Sequence, residues 1–178
     1  MISIRLSSKN LQADYYPFIL EPEARHLFLK KLASHLAART DLLDIQQHLD
    51  EILLTLDGHQ AESYTFALTL PRLISTTLDT CNACAKSQQW FHSLSAYVAM
   101  DAGLSRPIRL FISDTIPPII QWTGLHAGRV STLTREMVAC YSPSCLITHA
   151  LYKRLSPSIQ SRYTTLYYLH HICCYCAE

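Results

Sequence analysis

The feature that most constrains this chain is a change of apolar spacing along its length. Between Phe28 and Leu56 the apolar residues recur at helical intervals, whereas from Leu94 to Ile112 they alternate. A chain that switches period in this way is expected to combine both kinds of element. The expected fold class is therefore α+β: a helical hairpin, then a small central sheet, then C-terminal helices, within a single domain spanning residues 1–178. The competing reading is all-α.

The helical part starts well. Glu21-Pro22-Glu23 suits a first turn, because proline is tolerated there and acids favour its positive end. Phe28, Leu29, Leu32, Ala33, Leu36 and Ala37 form one stripe. Thr40 then caps a second helix carrying Leu42, Ile45, Leu49, Ile52, Leu53 and Leu56, closed by Asp57-Gly58. Ahead of this pair, Ile2, Ile4 and Leu6 alternate as an arm or edge strand. From Ala61 to Gln89 the pattern is mixed, with Leu73, Ile74, Leu78 and Cys81 favouring a helix. Leu94, Ala96, Val98 and Met100, then Ile108, Leu110 and Ile112, flank the turn Asp101–Pro107 and predict a β-hairpin. Val130–Tyr141, rich in β-branched residues, suggests a further strand. Ser142-Pro143 and Ser156-Pro157 each read as a helix start, the first leading into Cys145 and the second into Ile159, Tyr163 and Leu166.

Composition narrows the function classes. With 49% hydrophobic and 16% charged residues the chain is globular, and part of its exterior is available for a protein partner. Fifteen basic against fourteen acidic residues, with no basic stripe, argue against nucleic acid. No window approaches the roughly 18 apolar residues of a spanning helix, and the N-terminus lacks a signal-peptide core, so no membrane span is expected. Seven cysteines without an export signal of the usual type point to reduced thiols in a cytoplasmic setting. Two Cys-x-x-Cys pairs, Cys81/Cys84 and Cys173/Cys176, have the ligand types of a zinc site, although a packed face is the commoner explanation of such a pair. No cofactor is called for by the rest of the chain.

The candidate chemistry lies between Trp90 and Leu155. In chain order it contains His92, Asp114 and Cys145: a base, an acid to orient it, and a thiol. Cys145 near the start of a helix would gain thiolate character from the helix dipole, and the backbone amides there would face an oxyanion. Asp114, at the end of a strand paired with the one that His92 begins, would hold the imidazole in the tautomer a general base needs. His149, four residues beyond Cys145, is an alternative base.

His92-Ser-Leu-Ser-Ala-Tyr-Val, Ile108-Arg-Leu-Phe-Ile-Ser-Asp114 and Glu136-Met137 through Ser144-Cys145 to Leu155 together resemble the cysteine peptidase clan of the SUMO and ubiquitin-like proteases. The last segment looks most like the YopJ-type effector acetyltransferases of that clan. The resemblance implies a thiol-dependent acyl-transfer enzyme acting on a protein substrate, with His92, Asp114 and Cys145 as catalytic residues. It also implies a bacterial effector secreted into a host cell without a cleaved signal peptide. Two positions depart from the family: no glutamine stands just before the cysteine, and Leu146 replaces a small residue after it. A degenerate, inactive relative therefore stays open. So does a different class altogether, a mainly helical adaptor that binds protein partners and has no active site.

Overall fold

The computed structural model describes residues 1–8, 22–48, 50–87, 94–102, 109–111, 120–122, 125–140, 143–169 and 171–177. In chain order the elements are β1 (Ile2–Ser8), α1 (Pro22–Leu36), β2 (Leu42–His48), β3 (Glu51–Leu56), α2 (Ala61–Ser87) and β4 (Leu94–Met100). They continue as β5 (Arg109–Phe111), β6 (Ile120–Trp122), α3 (Leu125–Ala139), β7 (Cys145–Thr148), α4 (His149–Tyr152), α5 (Pro157–Gln160), β8 (Thr165–Leu169) and β9 (Ile172–Cys176). A seven-stranded sheet runs in the order β2-β3-β1-β4-β7-β9-β8, while β5 and β6 pair separately. Only β4 and β7 are parallel neighbours in the large sheet; its other pairs are antiparallel. The class is α+β, and the strands rule out the all-α alternative.

Each strand sends alternate side chains to opposite faces, and β1 shows how the two faces differ. Ile2, Ile4 and Leu6 are buried in a core with Phe28 and Leu32 of α1 and Phe66, Leu70 and Ile74 of α2. Ser3 and Arg5 face the other way, toward α3. The α3 side has a smaller apolar core, built on Leu53, Ala99, Val130, Leu133, Met137, Leu146 and Cys174.

Several sequence expectations change here for identifiable reasons. The segment expected to be a second helix is the hairpin β2–β3. Its apolar spacing satisfies a helical template, yet Glu51, Ile52, Leu53 and Leu54 are all buried because β3 is covered on both faces. A strand buried on both sides reads as a continuous apolar run, which periodicity does not separate from a helix. On β2, by contrast, Ile45 of the expected stripe is 48% exposed. β1 is a central strand, not an arm or edge: it pairs with β3 on one side and with β4 over seven residues on the other. β4 is a strand as expected, but its neighbours are β1 and β7, and β5 pairs with β6. The expected hairpin of β4 with the 108–112 segment is thus replaced by pairings with more distant strands.

The remaining changes are C-terminal. Val130, Leu133, Thr134 and Met137 are buried at helical spacing in α3, a periodicity that the β-branched composition of 130–141 obscured. Pro143 leads not into a helix but into the short buried strand β7. Ser156 does stand at the N-cap position of a helix with Pro157 in its first turn, but that helix is a single turn. Beyond it the chain enters the β8–β9 hairpin. Among the described residues no helix is long and apolar enough to cross a membrane.

Candidate functional site

A buried charge cluster lies on the α3 side of the sheet. Alternation along β1 places Arg5 there, and the β2–β3 turn brings Asp50 and Glu51 beside it. Arg5 Nη1 donates to Asp50 Oδ2 at 2.7 Å and Nη2 to Glu51 Oε2 at 3.0 Å. Ser3 Oγ donates to Glu51 Oε1 at 2.6 Å, and Ser131 Oγ, from α3, donates to Oε2 at 2.7 Å. Thr134 extends the network through a 2.9 Å contact with Ser3. The Leu6 amide donates to the Asp50 carbonyl at 2.8 Å, tying the turn to β1. Burying three charges is costly unless each is paired and its remaining lone pairs are satisfied. Here one guanidinium serves two carboxylates, and hydroxyls of two elements complete Glu51, while Arg5 Nε is buried without a hydrogen-bond partner among the described residues.

A second cluster sits at the end of β4. Asp101, fully buried, accepts from the Thr148 hydroxyl and faces Arg129 Nη1 of α3 at 3.5 Å. Arg129 borders an open cleft of about 460 Å³, which Thr148, His149, Lys153, His171 and Cys173 also line. His149 Nδ1 lies 3.0 Å from Tyr175 Oη, and the Tyr152 and Tyr175 rings stack at 4.1 Å beside it.

Of the three residues expected to form a thiol site, Cys145 is the one that lies among the described residues. Cys145 opens strand β7 and gains nothing from a helix dipole. Burial pushes its thiol up to about 12, aided by nearby Cys176, the opposite of what a nucleophile requires. His149, the alternative base, lines a different cleft from the one that Cys145 borders with Asn82 and Ser144. His92 and Asp114 lie outside the described residues. The two Cys-x-x-Cys pairs do not assemble a metal site. Cys81 is buried in the core on α2, while Cys173 and Cys176, three apart on strand β9, belong to opposite faces. Among the described residues no group of three or more His, Cys, Asp or Glu side chains is placed to hold a metal ion.

Sequence reasoning passed over Arg5, Asp50, Glu51 and Ser131. The available signal was an arginine on the polar side of an alternating strand, together with an acid pair inside a supposed helix; neither stands out until the sheet brings them together.

No protein-family model and no curated protein sequence matches the chain. Solved structures do. The adenylyl cyclase CyaB from P. aeruginosa is similar with a TM-score of 0.64 at 13% identity, over 99% of this chain and 92% of that one. The guanylyl cyclase Cya2 gives 0.64 at 9%, over 98% of this chain and 89% of that one. The guanylate cyclase domain of RhGC from Catenaria anguillulae, solved in complex with GTP, gives 0.52 at 11%, over 99% and 96%. At these identities the likeness is one of fold. It overturns the resemblance to cysteine peptidases and YopJ-type acetyltransferases, and with it the acyl-transfer function expected on that basis.

Proposed function

We propose that this chain is a nucleotide-cyclase-type domain that binds a purine nucleoside triphosphate and, as a single chain, does not turn it over. The ligand class is supported by the fold, which matches adenylate and guanylate cyclase domains over nearly their whole length, one of them holding GTP.

The absence of turnover rests on one observation, the bridging of Asp50 and Glu51 by Arg5. Closing a nucleotide phosphate into a ring is phosphoryl transfer, which depends on positioning and on cations that neutralise the developing charge. Carboxylates that hold such a cation need free oxygen lone pairs facing it. Asp50 and Glu51 are the acid pair beside β1: Glu51 gives both of its oxygens to Arg5, Ser3 and Ser131, and Asp50 turns Oδ2 to the same guanidinium. A guanidinium does not deprotonate in a protein, so the place between them holds a positive charge at any working pH. The acid pair then acts as a structural clamp joining β1, the β2–β3 turn and α3, while a nucleotide is bound elsewhere on the domain.

The test is to titrate the purified chain calorimetrically with a non-hydrolysable GTP analogue and its ATP counterpart. In parallel, the chain is incubated with GTP or ATP and Mg²⁺ or Mn²⁺, and the products are separated by chromatography. Saturable binding without cyclic product is the expected result. Cyclic nucleotide formed by the wild-type chain would refute the structural role of the clamp, and failure to bind either analogue would refute the ligand class.

A further inference from the structure

We infer that the cleft bordered by Arg129, His149, Lys153 and His171 is a binding site for a multiply charged phosphate anion. These four side chains come from four separate places: α3, the start of α4, the residue after α4, and the β8–β9 turn. They meet around one opening of about 460 Å³, and no carboxylate is among the described residues that line it. The whole chain carries a net charge of only +1, so this concentration of basic groups is not the average character of its surface.

Two of the groups are held in place from beneath. Arg129 rests on buried Asp101, whose carboxylate also takes the Thr148 hydroxyl, and its side chain is still 43% exposed. An arginine oriented from behind, with donors left toward water, suits an oxyanion better than a freely moving one. The His149 ring stacks on Tyr175 at 5.8 Å with Nδ1 against Tyr175 Oη, so the second ring nitrogen lies outside that bond. His171 has φ 63°, a left-handed conformation in the tight turn where Leu169 and Ile172 are the last pair. Such turns favour glycine or asparagine, and here the left-handed backbone brings a histidine to the rim of the cleft. Lys153 completes the ring as an exposed point charge.

Two sources offer the required chemistry, free pyrophosphate and the phosphate chain of a nucleotide; only the second rests on the nucleotide reading above. The experiment is calorimetry on the full chain in metal-free buffer, with pyrophosphate and with GTP as separate probes. Wild type is compared with Lys153→Gln, Arg129→Gln and, as a control on α1, Lys30→Gln. Because Arg129 also faces buried Asp101, Lys153→Gln serves as the variant that leaves the interior untouched.

Pyrophosphate is expected to bind wild type, and Lys153→Gln and Arg129→Gln each to weaken it about tenfold, the scale of one charged hydrogen bond. Lys30→Gln should match wild type. A parallel loss for GTP identifies the nucleotide's phosphates as the occupant, whereas a loss confined to pyrophosphate identifies the free anion; both outcomes support the site. If pyrophosphate does not bind, or binds wild type and both cleft variants alike, the site is overturned. GTP binding that both cleft variants leave intact, with no pyrophosphate binding, would sink this inference while the nucleotide reading stands. Pyrophosphate binding lost in the variants, with no GTP binding, would do the reverse.

Discussion

Arg5 serves two buried carboxylates with one guanidinium, so its removal strands both Asp50 and Glu51 in the interior. Breaking a buried ion cluster from one side costs about 3–5 kcal/mol, and Arg5→Met is expected to lower the unfolding free energy by that much in urea titrations at neutral pH. A wild-type midpoint in this variant would mean that the cluster is solvated. Asp41 makes a further network with Arg39 and Ser63. Burial alone would raise its pKa, but hydrogen bonds from Arg39 at 2.5 Å and Ser63 at 2.8 Å outweigh it and hold the carboxyl below the usual range. A carboxyl whose pKa is lower folded than unfolded stabilises the fold above the unfolded value, near 3.9, and the stabilisation is lost as pH falls through the folded value. A Tm series should therefore show a weaker acid dependence for Asp41→Asn than for wild type below about pH 4; parallel curves would contradict this. Cys145 gives the third residue-level prediction. With its thiol pushed up to about 12 by burial, it should react with iodoacetamide at pH 8 more slowly than exposed Cys140, as peptide mass mapping can measure.

At the scale of elements, legibility tracks burial geometry. The first helix is readable because one face of α1 is buried, through Phe28, Leu32 and Leu36, and the other is wet. β4 is readable for a similar reason: its burial alternates over its first half, from Leu94 to Val98. β3 and β7 read as helix because strands covered on both faces lose that alternation. α3 reads as strand because its buried stripe of Val130, Leu133 and Met137 lies among threonines and valine, whose χ1 restriction suits strands. One pair of substitutions separates the hairpin from the helix first expected. Leu54→Ala, at a fully buried position of β3, should cost about 2–5 kcal/mol. Leu43→Ala on β2, largely exposed, should stay within about 0.5 kcal/mol. Comparable losses at both positions would favour an amphipathic helix over the β2–β3 hairpin.

Across the whole molecule, the sheet is assembled from strands far apart in sequence. β1 pairs with β4 from Ile2↔Met100 to Ser8↔Leu94, and it lies between β3 and β4 at the centre. Amide hydrogen exchange should accordingly be slowest in β1 and β4 and fastest in the edge strands β2 and β8, where Ile45 and Tyr168 are already exposed. Fast exchange throughout β1 would rule out its central placement. Some properties belong to the sequence by itself: the mixed α+β class, α1, the strand at 94–100, and the lack of any stretch suited to spanning a membrane. These are local matters of spacing and composition, and each residue carries its share of them independently. The order of the strands, the two-sided burial of β3 and β7, and the meeting of Arg5 with Asp50 and Glu51 were decided only by tertiary structure. The order His92, Asp114, Cys145 suggested a thiol site, but reactive residues named in chain order have no geometry. With Cys145 the first residue of a buried strand, desolvation pushes its thiol up, opposite to the shift that a position near a helix start had promised.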